Sequence, residues 1–329
     1  VLGTALIAAL ITAAATLLVA PGSPATAQPG ADDEGGTAGL RKVLDAANKG
    51  FLVAKAELAD SKKRQLQLNL QLRDLEVRHA ALVSDVGLVA AEAYRNGRLT
   101  GVSMLLESDS ADSFWQRATA ADSLARLDAK QLRKLTESRA QIVAAKQRIQ
   151  AEIREQTKQL AVMAKRKQDA ERALFAYGGG GAPTSNWTVG SAPAADRFTG
   201  SSGGCTQEDP TTSGCITART LHAYNQALAA GFKRHCSCKR SGGGGEHPLG
   251  RACDFSAATN GFENVNATGG DKAYGDRLAL FLVKNADRLG VMYVIWYGQI
   301  WMPSTGLRRY SGSGSPAATH KNHVHLSML

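Results

Sequence analysis

Between Leu44 and Ala93 one seam of residues returns at strictly alternating steps of three and four: Leu44, Ala47, Phe51, Ala54, Leu58, Ser61, Gln65, Leu68, Leu72, Leu75, His79, Leu82, Val86, Val89 and Ala93. A seven-residue repeat of this kind keeps a mostly apolar stripe on one side of a helix, which is the pattern of a coiled coil. At 1.5 Å rise per residue the stretch makes a rod of roughly 75 Å. A chain that commits so much length to a rod cannot be a single globule. Its composition agrees, with 43% hydrophobic residues but only 6% aromatics, so helix formers are plentiful and bulky core residues are scarce.

The seam stops at Asn96-Gly97 and resumes as Phe114, Ala118, Ala121, Ala125, Asp128, Leu132, Leu135, Arg139, Ile142, Lys146, Ile149, Ile153, Gln156, Leu160, Met163, Lys167, Ala170, Leu174 and Tyr177. Two helices of similar length around a compact break read as an antiparallel hairpin, although a parallel dimer satisfies the same heptads. The break gathers Leu99, Val102, Met104, Leu105 and Leu106, with Phe114 and Trp115 just beyond. Such a cluster at the tip of a rod either packs on itself or meets a partner.

Outside the rod the chain divides by composition. Residues 1–27 contain an apolar, uncharged run, Val1 to Ala20, then Pro21 and Ala25-Thr26-Ala27. This pattern is expected of a signal peptide with its cleavage site, or of a retained membrane anchor. Either reading places the remainder outside the cytoplasm. Residues 28–39 are polar and Gly-rich and read as disordered, 40–177 as coiled coil, 178–204 as a flexible Gly/Ser/Pro linker, and 205–329 as a compact domain. Within that domain, Thr217 to Ala230 and Gly275 to Leu289 have helical periodicity, while Val291 to Ile295 and Val324 to Leu326 read as strands. The expected class is therefore a long α-helical coiled-coil hairpin plus a separate α+β domain with a small antiparallel sheet.

All five cysteines, Cys205, Cys215, Cys236, Cys238 and Cys253, lie in the last domain. Export favours disulfides among them, and against half of a structural metal site at His235-Cys236-Ser237-Cys238. The net charge of +10 lies mostly on the helical part. An exported chain without a recognition motif is a poor nucleic-acid binder, whereas an anionic wall polymer or lipid surface attracts such a charge.

The strongest chemical signal is His247-Pro248-Leu249-Gly250-Arg251-Ala252-Cys253-Asp254, followed at the C-terminal end by His323-Val324-His325. Hydrolytic zinc takes three N or O ligands and leaves one position open, and two histidines with one aspartate meet that need. On a strand, His323 and His325 share a face, so one can bind metal while the other meets substrate. His79 on the seam and His222 in a helix read as structural.

The spacing His-x-x-Gly-x-Ala-x-Asp with a distant His-x-His resembles the zinc peptidases of the D,D-carboxypeptidase, lysostaphin and hedgehog-like group. The flanking stretches Glu246 to Phe255, Val294 to Trp296 and His320 to Ser327 resemble its actinobacterial secreted branch. The resemblance covers roughly Cys205 to Leu329 and implies a zinc site of His247, Asp254 and His325. It also implies an arginine, here Arg240, that steadies the substrate carbonyl, and disulfides Cys238–Cys253 and Cys205–Cys215. Cys236 and Cys238 would share a strand face, however, so either can take Cys253. The turn at Tyr94-Arg95-Asn96-Gly97 and the Leu-rich stretch after it resemble the coiled-coil regions of secreted peptidoglycan hydrolases. In those proteins the rod meets a membrane regulatory complex and restrains the catalytic domain.

One departure bears on mechanism. Related sequences often place Asp before the His-x-His pair, whereas this chain has Asn322, and no Asp or Glu follows Asp287. The expected general base is then His323, with His320 or Glu246 as alternatives. The expected function is a secreted zinc peptidase that cuts stem-peptide or crossbridge amides of peptidoglycan. The rival is a non-catalytic wall-binding regulator or activator of another hydrolase. Three retained ligands favour the enzyme, and the missing carboxylate favours the regulator.

Overall fold

The computed structural model describes residues 38–96, 103, 105–201, 203–242, 245–310 and 314–329. The expected signal segment 1–27, nearly all of 28–39, and the tip residues Leu99, Val102 and Met104 lie outside them. The chain divides into two compact units. One is Thr37–Pro183 with Trp301–Arg309, and the other contains Thr184–Ile300 and Tyr310–Leu329.

The first unit is built on α1 (Ala38–Asn96) and α2 (Ala111–Ala176). Helix α2 opens on a capping box, in which the Ser110 hydroxyl accepts from the Ser113 amide and the Ser113 hydroxyl accepts from that of Ser110. Along α1 the less exposed positions fall on the expected seam, from Leu44, Ala47, Ala54 and Leu58 to Leu72, Leu75, His79 and Leu82. The polar seam residues are matched across the helices. Ser61 donates to Glu152 at 2.8 Å, Gln156 donates to Gln65 at 2.8 Å, and Arg64 pairs with Glu152 at 2.9 Å. The joined pairs run in opposite order along the two helices, since Glu152 meets Ser61 while Lys146 meets Glu76 at 3.1 Å.

On α2 the seam differs from the expected one at every second position. Asp128, Leu135, Ile142, Ile149, Gln156, Met163 and Ala170 face inward as anticipated. Between them, Gln131, Ser138, Ala145, Glu152, Gln159 and Arg166 do so in place of Leu132, Arg139, Lys146, Ile153, Leu160 and Lys167. The shift by one residue turns Arg139, Lys146 and Lys167 to water and lets the small Ser138 and Ala145 face inward. Leu132 and Leu160 are left more than half exposed. Desolvating those charges costs more than exposing two leucines.

The second unit is α+β. Its helix α3 (Ala218–Ala229) starts where Thr217 caps the Thr220 amide. Helix α4 (Gly269–Lys284) runs into the short α5 (Ala286–Leu289). A two-stranded ribbon pairs β1 (Gln207–Glu208) with β2 (Cys215–Ile216). The main sheet sets β3 (Cys236–Ser237), β4 (Ala252–Ser256), β8 (His323–Met328) and β5 (Val291–Trp296) side by side in that order; β6 (Gln299–Met302) follows β5 along the chain, and β7 (Gly306–Arg309) belongs to the first unit. The two expected strands thus become the long central pair β5 and β8. Val324, Leu326 and Met328 alternate with the site residues along β8 and are fully buried.

The expected flexible linker is held over much of its length. Asn285 accepts from the Ala195 amide at 2.8 Å and donates to the Pro193 carbonyl at 2.9 Å, and the Phe198 amide donates to Arg288. Trp187 and Ala195 are buried. Composition marked this stretch as lacking periodicity, but a segment without periodicity still becomes ordered when a neighbour satisfies its backbone groups.

Both disulfides join the pairs that the resemblance implied, Cys205–Cys215 and Cys238–Cys253, and Cys236 is a buried free thiol. Burial, then the negative charges of Asp254 and Asp209, push that thiol well above its ordinary pKa, so it stays protonated.

Candidate metal centre

The site is assembled by strand register. Asp254 on β4 lies directly opposite His325 on β8, Ser256 lies opposite His323, and Ser237 of β3 flanks Asp254 from the other side. Since alternate residues share a face, Asp254, His323 and His325 come to one side of the sheet. Cys253 projects to the other, where it bonds Cys238. His247 arrives from a short 3₁₀ turn, His247–Leu249, that ends at Gly250 with φ 68°. A side chain at Gly250 would sit 2.7 Å from both the Cys205 sulfur and the Cys215 carbonyl, in a conformation L residues rarely adopt. The glycine in the motif is therefore what lets the chain turn from His247 back into β4.

His247 Nε2 is 3.2 Å from Asp254 Oδ2 and 3.4 Å from His325 Nδ1, and His325 Nδ1 is 2.9 Å from Asp254 Oδ1. A tetrahedral ion holding its ligands at about 2.0–2.2 Å places ligand atoms roughly 3.3–3.5 Å apart, so the three side chains fit such an ion. All three are completely buried. Their outward nitrogens are engaged as well. His247 Nδ1 donates to the Cys238 carbonyl, which leaves the Nε2 lone pair facing the centre, and His325 Nε2 meets Ser327 Oγ at 2.8 Å. Such outer partners set ring orientation and raise ligand basicity. Tyr293 stacks on His325 with ring centroids 5.6 Å apart and the planes nearly parallel.

The remaining expected site residues are placed as follows. Arg240 lies on Asp254, with Nη1 to Oδ2 at 2.6 Å. His323 donates from Nδ1 to Asn322 Oδ1 at 2.7 Å, and its Nε2 is 3.5 Å from Asp254 Oδ1. Asn322 is itself fixed by donating to the Glu263 carbonyl at 2.7 Å. Glu246 is buried and paired with Arg251. His320 is buried beside the centre, with its ring centroid 4.7 Å from that of His323 and 5.5 Å from that of His325.

The electrostatics follow from burial and from the groups that surround Asp254. Burial alone would raise the Asp254 carboxyl, but His247, His323 and Arg240 together outweigh it and hold the group well below the usual carboxylate range. Burial lowers His323 to about 4, only partly opposed by Asp254, so its imidazole is neutral at ordinary pH. Burial and the neighbouring His323 and His325 likewise hold His320 well below the ordinary imidazole range.

A cleft of about 490 Å³ is lined by Thr211, Thr212, His235, Ser237, Lys239 and Arg240, the last of which reaches Asp254. Sequence reasoning missed Ser327 and Ser237 and took Asn322 only for a lost carboxylate. A signal existed for Ser327, which lies two residues past His325 on a strand and so shares its face. None existed for Ser237, whose place depends on the pairing of β3 with β4.

The family described as VldE, C-terminal domain, matches residues 212–321, a span that includes Arg240, His247, Asp254 and His320 and ends before His323. No curated protein matches the chain, and no solved structure does.

Proposed function

We propose that the second unit is a zinc-dependent peptidase of an exported chain, acting on stem-peptide or crossbridge amides of peptidoglycan. The observation that carries this reading is the buried triad of His247, Asp254 and His325, with facing donor atoms 2.9 to 3.4 Å apart and its outward nitrogens already engaged. Two imidazoles with one carboxylate suit zinc better than magnesium or calcium, which prefer oxygen-only shells. Zinc held there supplies Lewis acidity that polarises a carbonyl and makes water nucleophilic near neutral pH.

The chain's own residues do the rest. Asn322 holds the proton of His323 on Nδ1, so the Nε2 lone pair faces the centre and can take a proton from the attacking water. Asn322 thus keeps the orienting role that an aspartate would have, without its charge. Arg240 fixes Asp254 and borders the cleft by which a peptide reaches the site. The substrate class rests on the sequence resemblance. In the same reading, α1 and α2 form a coiled-coil hairpin whose tip, with Leu106 80% and Trp115 67% exposed, meets a membrane regulatory partner.

A second reading, the non-catalytic wall-binding regulator, is favoured by one observation: His247, Asp254, His323 and His325 are all at most 1% exposed. Zinc content and digestion of purified peptidoglycan, measured on wild type and His323→Ala, separate the two. The peptidase reading expects zinc in both proteins and turnover about 10²–10⁴-fold slower in the variant. Zinc without any wild-type turnover supports the regulator, and absence of zinc overturns the site.

A further inference from the structure

At the candidate centre, nearly every histidine nitrogen has an assigned neighbour. His247 uses Cys238 and the Asp254–His325 pair, His325 uses Ser327 and Asp254, and His323 uses Asn322 and faces Asp254. His320 is the exception. It is completely buried, yet neither Nδ1 nor Nε2 has a hydrogen-bond partner among the described residues. A buried polar group left in this state is costly, and native structures leave few of them without a reason.

Its backbone makes the same point independently. His320 has φ 51°, a left-handed conformation that an L residue with a bulky side chain adopts only when its surroundings impose it. The surroundings do so from both sides, since the His320 amide donates to the Ala317 carbonyl at 3.0 Å and its carbonyl accepts from the Tyr297 amide at 2.7 Å. Tyr297 itself has φ 52°. Two strained residues, hydrogen-bonded to each other across the turn after β5 and the loop before β8, hold one imidazole against the rings of His323 and His325. A ring that only filled space would not need two nitrogens, and leucine or phenylalanine would leave no polar atom without a partner.

We propose that His320 is a ligand-contacting residue whose ring N–H donates a hydrogen bond to a carbonyl or carboxylate oxygen of the molecule that occupies the centre. Naming that molecule as a peptide rests on the peptidase reading, while the contact itself does not. His320 is not counted among the metal ligands, because its nitrogens do not belong to the clustered ligand atoms of His247, Asp254 and His325. It gives the site a neutral donor for oxygen that stands apart from the base and from the ligands.

The test uses zinc-loaded full-length protein, His320→Asn, which tolerates the left-handed backbone, and His320→Gly, which relieves it altogether. Two probes are titrated by calorimetry, N-acetyl-D-alanyl-D-alanine and inorganic phosphate, with zinc content measured for each protein and the ¹⁵N shifts of the imidazoles followed in the wild type. The expected result is unchanged zinc in both variants, a wild-type His320 ring-nitrogen shift on ligand addition, and affinity about tenfold weaker in both variants, the value of one hydrogen bond. Binding of phosphate but not of the dipeptide, with the same dependence on His320, upholds the contact and counts against the peptidase reading. Equal affinities in wild type and variants, loss of zinc in the variants, or binding of neither probe to the wild type would each overturn the proposal.

Discussion

The two units reach stability by opposite routes. In the helical unit the backbone bonds of α1 and α2 are local, and the seam buries side chains only partly. Of the residues facing inward on α1, those beyond Ser61 remain partly exposed. In the sheet unit, β4, β5 and β8 are buried along their whole length, and two disulfides tie loops to strands. Polar residues show the same contrast. Ser61, Gln65, Glu152 and Gln156 satisfy one another across the first unit, whereas the second gathers Asp254, four histidines and Arg240 in one buried place. A seam of polar pairs sets register. A buried cluster of charges and imidazoles is far too costly for that purpose, and this cost is what supports the proposed metal chemistry.

The largest effect that can break this contrast is loss of a ligand. Asp254→Ala should lower zinc affinity by more than the roughly 10–100-fold typical of an outer-shell change. The thermal transition of the helical unit, followed by its circular dichroism, should stay where it was. Retention of zinc at wild-type affinity would remove the chemical side of the comparison.

A smaller effect should come from acid in the sheet unit. Unfolded His323 takes up a proton near pH 6.5, but the folded, metal-free site refuses it until about 4. The unfolded state therefore binds more protons in that window, and stability falls as pH drops from 6.5 to 4, by on the order of 3 kcal/mol. Asp254 adds to the loss below its unfolded pKa, since its folded carboxyl is held well below the usual range. Denaturant titrations of metal-free protein at both pH values should show the slope in the wild type and a flatter one in His323→Gln. An equal slope in the two would mean that His323 is not buried as a neutral ring.

The smallest effect sharpens the helical side. Ile149 is 8% exposed and Ile153 is 38% exposed, though the simple heptad places both on the seam. Ile149→Ala should cost about 2 kcal/mol and Ile153→Ala about 1 kcal/mol or less, read from urea midpoints of the helical transition. Equal costs would restore the unshifted seam.

How much of this was legible beforehand depends on how local the cause is. The seam of α1, the helical stretch from Thr217, the two long strands and the pairs His247 with Asp254 and His323 with His325 are each written within a few residues, because helix and strand periods repeat locally. The shifted seam of α2 was not legible, since it follows from which residues of α1 lie opposite and from the cost of desolvating Arg139, Lys146 and Lys167. The fastening of 193–198 was hidden too, because Asn285 and Arg288, which hold it, lie some 90 residues away in the chain. The centre divides in the same way. The amino-acid sequence by itself determined which donor atoms were available. Only the tertiary structure decided that Asp254 stands opposite His325, that Arg240 is drawn onto Asp254, and that His320 is held with both nitrogens unclaimed by the described residues, because register and burial are set by the partners a strand or loop finds.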